Sequence, residues 1–271
     1  MQLQLQRYAV LCSLLTSVFP MHSAVAADTP EPGWSSSGNV TLVSDYVFRG
    51  VSPTQGKPMA QMNLDFTHSD GAYAGLFGSG VSHAAYNNGS GTEIDVYGGY
   101  RATVAADTTI DAGLVTYWFP GAHYAAAGRD IKYHTQEWKL GVNVGAFNVY
   151  GWVSSSSAWF GFAVDPVTGK YHSTRGTGYI EANWNPELRP GTVLNLHAGR
   201  QVVRHLDGFN YFDVKIGVTQ TWGNWAVSAN ATHNSGKAER GGAPYWRFFN
   251  ADGTYENVAG SRFFVTAARN F

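Results

Sequence analysis

From about residue 38 to the end, apolar and polar residues exchange places with a period of two, in short runs broken by Gly, Pro, Asn, Asp and Ser. That period places alternate side chains on opposite faces of a strand. The first run sets Val40, Leu42, Tyr46 and Phe48 against Thr41, Asp45 and Arg49, and the second sets Ala60, Met62, Leu64 and Phe66 against Gln61, Asn63, Asp65 and Thr67. A third, Ala72 to Val81, is too rich in Gly and Ala to assign a facing. Ile94, Val96 and Tyr100 then oppose Glu93, Asp95 and Arg101, and Ile110, Ala112, Leu114 and Trp118 oppose Thr109, Asp111 and Tyr117. Trp138, Leu140, Val142 and Val144 oppose Glu137, Lys139 and Asn143, and a weaker run covers Asn148 to Ser154. Ile180, Ala182 and Trp184 face away from Tyr179, Glu181 and Asn183, and Leu194, Leu196 and Ala198 from Asn195, His197 and Gln201. Phe212, Val214, Ile216 and Val218 oppose Asp213, Lys215 and Thr219, and Val227, Ala229 and Ala231 oppose Ser228 and Asn230. The last run is Ser261 to Phe271, with Phe263, Val265, Ala267 and Phe271 on one parity and Thr266, Ala268 and Asn270 on the other.

These twelve predicted strands are joined by connections that alternate in length: longer near residues 51, 82, 120, 155, 203 and 233, shorter near 69, 106, 145, 186 and 223. Bacterial outer-membrane barrels have this asymmetry, with short periplasmic turns, longer external loops and an even strand number. A soluble sandwich has no reason to alternate its loop lengths. The fold class expected is therefore all-β: a transmembrane antiparallel up-and-down barrel of about twelve strands. Its closing strand ends on Phe271, expected to serve as the barrel-assembly signal read by the assembly machinery.

In lipid only helices and closed barrels satisfy the backbone, so the apolar parity must face outward and the ionic parity the lumen. A Lys or Arg on the lipid face at mid-depth would cost about 2–4 kcal/mol. The pore-lining candidates are then Asp45, Arg49, Asp65, Glu93, Asp95, Arg101, Asp111, Glu137, Lys139, Glu181, Asp213 and Lys215, eight acids against four bases. Two readings of that lumen stay open. An acid excess lining a narrow wet pore would favour cations or polar neutral solutes. Alternatively the charges pair across the barrel and plug it, and twelve strands lie between the filled barrels of about eight and the channels of sixteen. Trp118, Trp138, Trp184 and Trp222, with Tyr46, Phe48 and Phe271, read as interfacial anchors. Arg269 falls on the lipid parity and is placed at the periplasmic interface.

The start of the chain supplies an export address: Arg7, an apolar run from Tyr8 to Phe19, and Ala24-Val25-Ala26 as a small-x-small site. Cleavage after Ala26 leaves Ala27 to Ser37 as a periplasmic linker and residues 38–271 as the barrel. The cleaved segment takes with it Cys12, the chain's single cysteine, so no disulfide framework or thiolate metal site is expected. Charge is only 14%, against about 25% in typical soluble domains, while 32 glycines and 14% aromatics are present. No window approaches the roughly 20 apolar residues a helical span needs. A formal charge of −1 argues against a nucleic-acid partner. The partners expected are outer-membrane lipid, the assembly machinery and small solutes, with no cofactor and no metal.

At Asn39-Val40-Thr41-Leu42-Val43-Ser44-Asp45-Tyr46-Val47-Phe48-Arg49-Gly50-Val51-Ser52, and again at Glu93 to Arg101, the sequence resembles the TorF-like family of outer-membrane porins, formerly a family of unknown function. The resemblance runs from about Asn39 to Phe271 and implies an outer-membrane location and a porin-like role. The long stretches Ser155 to Gly176 and His233 to Gly260 depart from it. A barrel enzyme, a lipid or ester hydrolase, is the alternative of a different class. His134, His197 and His233 have serines nearby in sequence, but no Gly-x-Ser-x-Gly or His-Glu-x-x-His pattern occurs. Asp165 to Lys170 ends like a phosphate loop without its leading glycine and reads as a turn. A structural or adhesin barrel with a plugged lumen is the third possibility.

Overall fold

A computed structural model describes residues 33–250 and 252–271. The expected export segment, residues 1–26, lies outside the described residues, as does most of the expected linker. Twelve strands make the wall: β1 (Trp34–Val43), β2 (Met59–His68), β3 (Ala72–Gly80), β4 (Thr92–Ala105), β5 (Thr108–Trp118), β6 (Thr135–Val144), β7 (Phe147–Ser154), β8 (Gly178–Trp184), β9 (Thr192–Val202), β10 (Tyr211–Trp222), β11 (Trp225–Asn234) and β12 (Gly260–Asn270). Each is antiparallel to its sequence neighbour. β12 also pairs with β1, from Asn39↔Asn270 to Val43↔Thr266. The sheet is thereby closed. Closure matters because it leaves no row of unpaired N–H and C=O groups at an edge.

The facing follows from the period of two. Along β12, Phe263 is 70% exposed while its neighbour Phe264 is 8% exposed. Val40, Leu42, Met62, Val96, Trp138, Leu140, Ile180 and Ile216 all stand on the outer wall, whereas Gln61, Asn63, Asp95, Asp111, Glu137, Asn195 and Asp213 are buried inside. The ambiguous β3 resolves by its aromatics: Tyr73 and Phe77 point inward and Leu76 outward. Trp118 and Trp138 ring the end of the wall that carries the long connections. Trp34, Trp184, Trp222, Trp225 and Phe271 ring the other, all exposed. Arg269 sits at that second end, its guanidinium 5.7 Å from the centre of the Trp225 ring.

The connections alternate as the sequence implies. Five are short, at 69–71, 106–107, 145–146, 185–191 and 223–224; six are long, at 44–58, 81–91, 119–134, 155–177, 203–210 and 235–259. The long ones are built rather than loose. A hairpin of His123–Ala126 with Arg129–Lys132 stands in the third, a short 3₁₀ turn, Asp207–Phe209, in the fifth, and two small hairpins in the last. Beneath them two aromatic clusters meet at Phe160 and Phe248.

Two boundaries differ from the sequence reading. β1 begins at Trp34, four residues inside the expected linker, because Trp34 to Ser37 find partners in His68 to Asp65 of β2. It also ends at Val43, so Asp45, Tyr46, Phe48 and Arg49 leave the wall although their alternation continues that of the strand.

The seam between β1 and β12 depends on Gly38. Its N–H donates to the Phe271 carbonyl and its carbonyl accepts from the Phe271 N–H, both at 3.0 Å. A Cβ on Gly38 would lie 2.7 Å from the Phe271 ring and 2.8 Å from the Asn63 carbonyl oxygen. The bare backbone is thus the slot in which the ring lies. Gly38→Val is expected to destabilise the closed barrel by about 1–3 kcal/mol through overpacking. Urea unfolding in lipid vesicles, read by tryptophan fluorescence, checks this; an unchanged midpoint would show that the ring moves aside freely.

Candidate pore and its external mouth

The segment that leaves the wall after Val43 turns into the barrel. Phe48 and Val51 exchange backbone hydrogen bonds at 2.8 and 2.9 Å around a two-residue tip, Arg49-Gly50. Both tip residues have positive φ, 49° and 71°, as a tight I′ hairpin turn requires. For Arg49, a residue with a Cβ, that conformation costs about 1–3 kcal/mol and persists only where the surroundings hold it. They do so from two sides. Asn234 of β11 donates to the Arg49 carbonyl at 3.1 Å, and a Cβ on Gly50 would meet Asp213 and Asn234 at 2.8 and 3.0 Å. Across the lumen, the Arg49 guanidinium makes a two-pronged pair with Glu137 of β6, at 3.0 and 2.7 Å. It lies 4.3 Å from the Tyr179 ring centre and 5.3 Å from that of Trp152. Trp159 Nε1 donates to the same Glu137 at 2.9 Å. The tip therefore spans from β10 and β11 to β6 and narrows the lumen.

The other inward charges fall into groups. Asp111 of β5 accepts from Lys139 Nζ at 2.8 Å, Tyr73 Oη at 2.8 Å and Arg101 Nε at 3.2 Å. Asp213 meets His197 Nε2 at 2.8 Å and accepts from Tyr179 at 3.0 Å. Glu181 accepts from Trp152 Nε1 at 2.8 Å, and Lys215 stands opposite His197 in the β9–β10 register. Asp65, nearer the short turns, accepts from Tyr97 at 2.6 Å. Asp45 accepts from Ser52 and Thr54 at 2.5 and 2.9 Å and pairs with Arg262 at 3.2 Å.

Glu93 and Asp95 differ. Both lie on the inner face of β4, 3% and 1% exposed, and Glu93 Oε2 and both Asp95 carboxylate oxygens have no hydrogen-bond partner among the described residues. The Tyr46 hydroxyl lies beside them, against Glu93. Above Glu93 a cavity of about 370 Å³ opens under the long connections. Outside the wall, burial pushes the Tyr86, Tyr124 and Tyr133 phenols above their ordinary range, and for Tyr86 the Glu93 carboxylate adds to it. These hydroxyls stay neutral donors at physiological pH.

All twelve charged candidates point into the barrel. Ten do so from strands; Asp45 and Arg49 do so from the inturned connection, a correction to the strand assignment. Two groups escaped sequence reasoning. Arg262 shares the inner parity of Phe264 and Thr266, which was a usable signal. Tyr73, Tyr150, Trp152 and Tyr211 bring large aromatics inside. Tyr46 and Phe48 are corrected from interfacial anchors to interior residues, since both follow the inturned backbone. The histidines separate. His197 is held by Asn183, Asp213 and Tyr179, and His134 accepts from the Phe119 N–H. His233 and Ser261 do meet on the outer wall, Nδ1 to Oγ 2.9 Å, but no described hydrogen bond orients the ring from its other nitrogen, as a nucleophile–base pair needs.

A family model described as "Bacterial protein of unknown function (Gcw_chp)" matches residues 27–252. The chain belongs to this family. The match takes in β1 to β11 with the inturned connection and stops short of the closing strand. No curated protein matches the chain. Solved structures of similar shape include the NanC porin in a rhombohedral crystal form, 6% identical over 87% of this chain and 98% of that one, TM-score 0.55. Another is the KdgM porin in complex with disordered oligogalacturonate, 7% identical over 88% and 99%, TM-score 0.51. At such identities the likeness is one of fold: a closed antiparallel barrel.

Removing one partner of a buried ion pair typically costs about 3–5 kcal/mol, because the other charge is left uncompensated. Arg49→Met is expected to fall in that range and Arg49→Met with Glu137→Gln to recover most of it. A double-mutant cycle on urea unfolding measures the coupling, and additive losses would mean that the two groups do not act as a pair.

Proposed function

We propose that the protein is a porin-like channel of the bacterial outer membrane, of the TorF-like kind, through which small polar or charged solutes diffuse passively. The observation that carries this reading is the inversion of the wall: apolar side chains on the outside of a closed barrel and ionic ones within. Only a barrel whose solvent is lipid gains from that arrangement. The girdles of Trp at both ends fit the two interfaces. The long connections then face outward from the cell and the short turns the periplasm. Cleavage after Ala26 and recognition of Phe271 by the assembly machinery belong to the same reading.

The lumen in this reading is narrow and selective rather than wide. Its acids outnumber its bases even with Arg262 added, which favours cations and polar neutral solutes. The Arg49–Glu137 bridge sets the constriction. A plugged structural barrel is the second reading, favoured by the pairing of Arg49, Lys139, Arg101 and His197 with carboxylates. The hydrolase alternative keeps one contact, His233 to Ser261, without a third group among the described residues that would orient it.

Recording in planar bilayers separates channel from plug. Folded protein is expected to give small single-channel steps, larger in Arg49→Ala, and a reversal potential of cation-selective sign under a KCl gradient. Folded protein without conductance would end the channel reading, and an anion-selective sign would end the assignment of the acid excess to the pore.

A further inference from the structure

All six long connections contribute an aromatic to the lining of the 370 Å³ cavity: Phe48, Tyr86, Tyr124, Phe160, Phe209 and Trp246. The rings brace one another. Tyr86 stacks on Phe119 with centroids 4.4 Å apart and meets Tyr133 at 5.3 Å, and Phe160 packs on Trp159 at 5.2 Å. A volume of this size suits one small organic molecule. The floor is not apolar. Glu93 lines it, 3% exposed, with Oε2 unpartnered, and Asp95 lies two residues along the same face with neither oxygen bonded.

The cations near this floor each have a carboxylate of their own. Arg49 is spent on Glu137 and Arg262 on Asp45. Arg247, the cation in the cavity lining, is paired with Glu239 at 2.8 Å and lies over the Tyr255 ring at 4.4 Å. No cation among the described residues pairs with Glu93; its neighbour is the Tyr46 hydroxyl. A buried carboxylate without a counter-ion is unfavourable, and aromatic faces attract cations most where water is excluded. We propose that this cavity binds an organic cation with an apolar body, an ammonium seated among the ring faces with Glu93 as its counter-ion. A bound cation would supply the charge that the wall omits. The inference names a ligand class for the external mouth of the channel proposed above, but occupancy of the cavity does not require that the channel conduct.

Three probes of equal ring size test it by isothermal titration on folded protein in detergent: benzyltrimethylammonium, benzyl alcohol and benzoate. The cation is expected to bind about tenfold or more tighter than the neutral probe, with benzoate weakest, a preference within the range of aromatic-cage recognition. Glu93→Gln is expected to remove most of that preference, and since it keeps the size of the side chain and replaces only a carboxyl by an amide it is expected to fold. The charge series on the wild-type protein tests the proposal even if that variant does not. Equal binding of the neutral and cationic probes would make the cavity merely apolar, and preference for benzoate or no binding of the cation would overturn the proposal. Blockade of conductance by the cation added from the loop side, measured separately, tests the channel; binding without conductance would remove the channel and leave this site standing.

Discussion

Everything in this molecule depends on the seam between its first and last strands. Until β12 pairs with β1, both carry open rows of backbone donors and acceptors, which in a lipid solvent nothing could satisfy. Asn39 to Val43 and Thr266 to Asn270 meet in unbroken register, and Gly38 and Phe271 extend it by two further hydrogen bonds. Once the seam is made, a residue's parity decides whether it sees the outer solvent or the lumen. The inverted distribution of Leu, Ile and Val against Asp, Glu and Lys then has a single cause.

Within the closed wall the second organising element is the connection between β1 and β2. It turns inward where a surface loop would turn out, and what holds it is a set of contacts from opposite sides of the barrel: Asn234 on its carbonyl, Glu137 on its guanidinium. The left-handed backbone at Arg49 is sustained by that grip. A charge pair buried this deeply is poor evidence for net stability, since its desolvation offsets much of its attraction. It is better understood as fixing position. The tip can sit in one place only, and by sitting there it divides the lumen below from the aromatic chamber above.

The chamber and the lumen are chemically different compartments in one tube. Below, most carboxylates find Lys, Arg, His and Tyr partners across short gaps. Above, rings from every long connection face one another, and the polar group between the two regions, Glu93, is left without a cation. In the channel proposed, a solute would meet first the faces of rings and then fixed charges.

Much of this was legible in the chain. The period of two, the alternation of long and short connections and the single-sided placement of charge fixed the number of strands, the facing of most strand residues and the closure of the barrel, with the Gly- and Ala-rich third strand left open. Those features are local or depend on neighbours along the chain, so a sequence carries them directly. Val40 and Asp95 had no other side to take. The inturned connection was not legible, because Val43 to Arg49 keeps the same alternation after the strand has ended, and what bends it inward is contact with Asn234, Asp213 and Glu137, residues 88 and more positions away. For the same reason the sequence listed which charges point inward but could not say which are answered. Partners across a lumen are set by barrel geometry alone. Only the folded wall brought Arg49 to Glu137 and Lys139 to Asp111 while leaving Glu93 without a cation among the described residues.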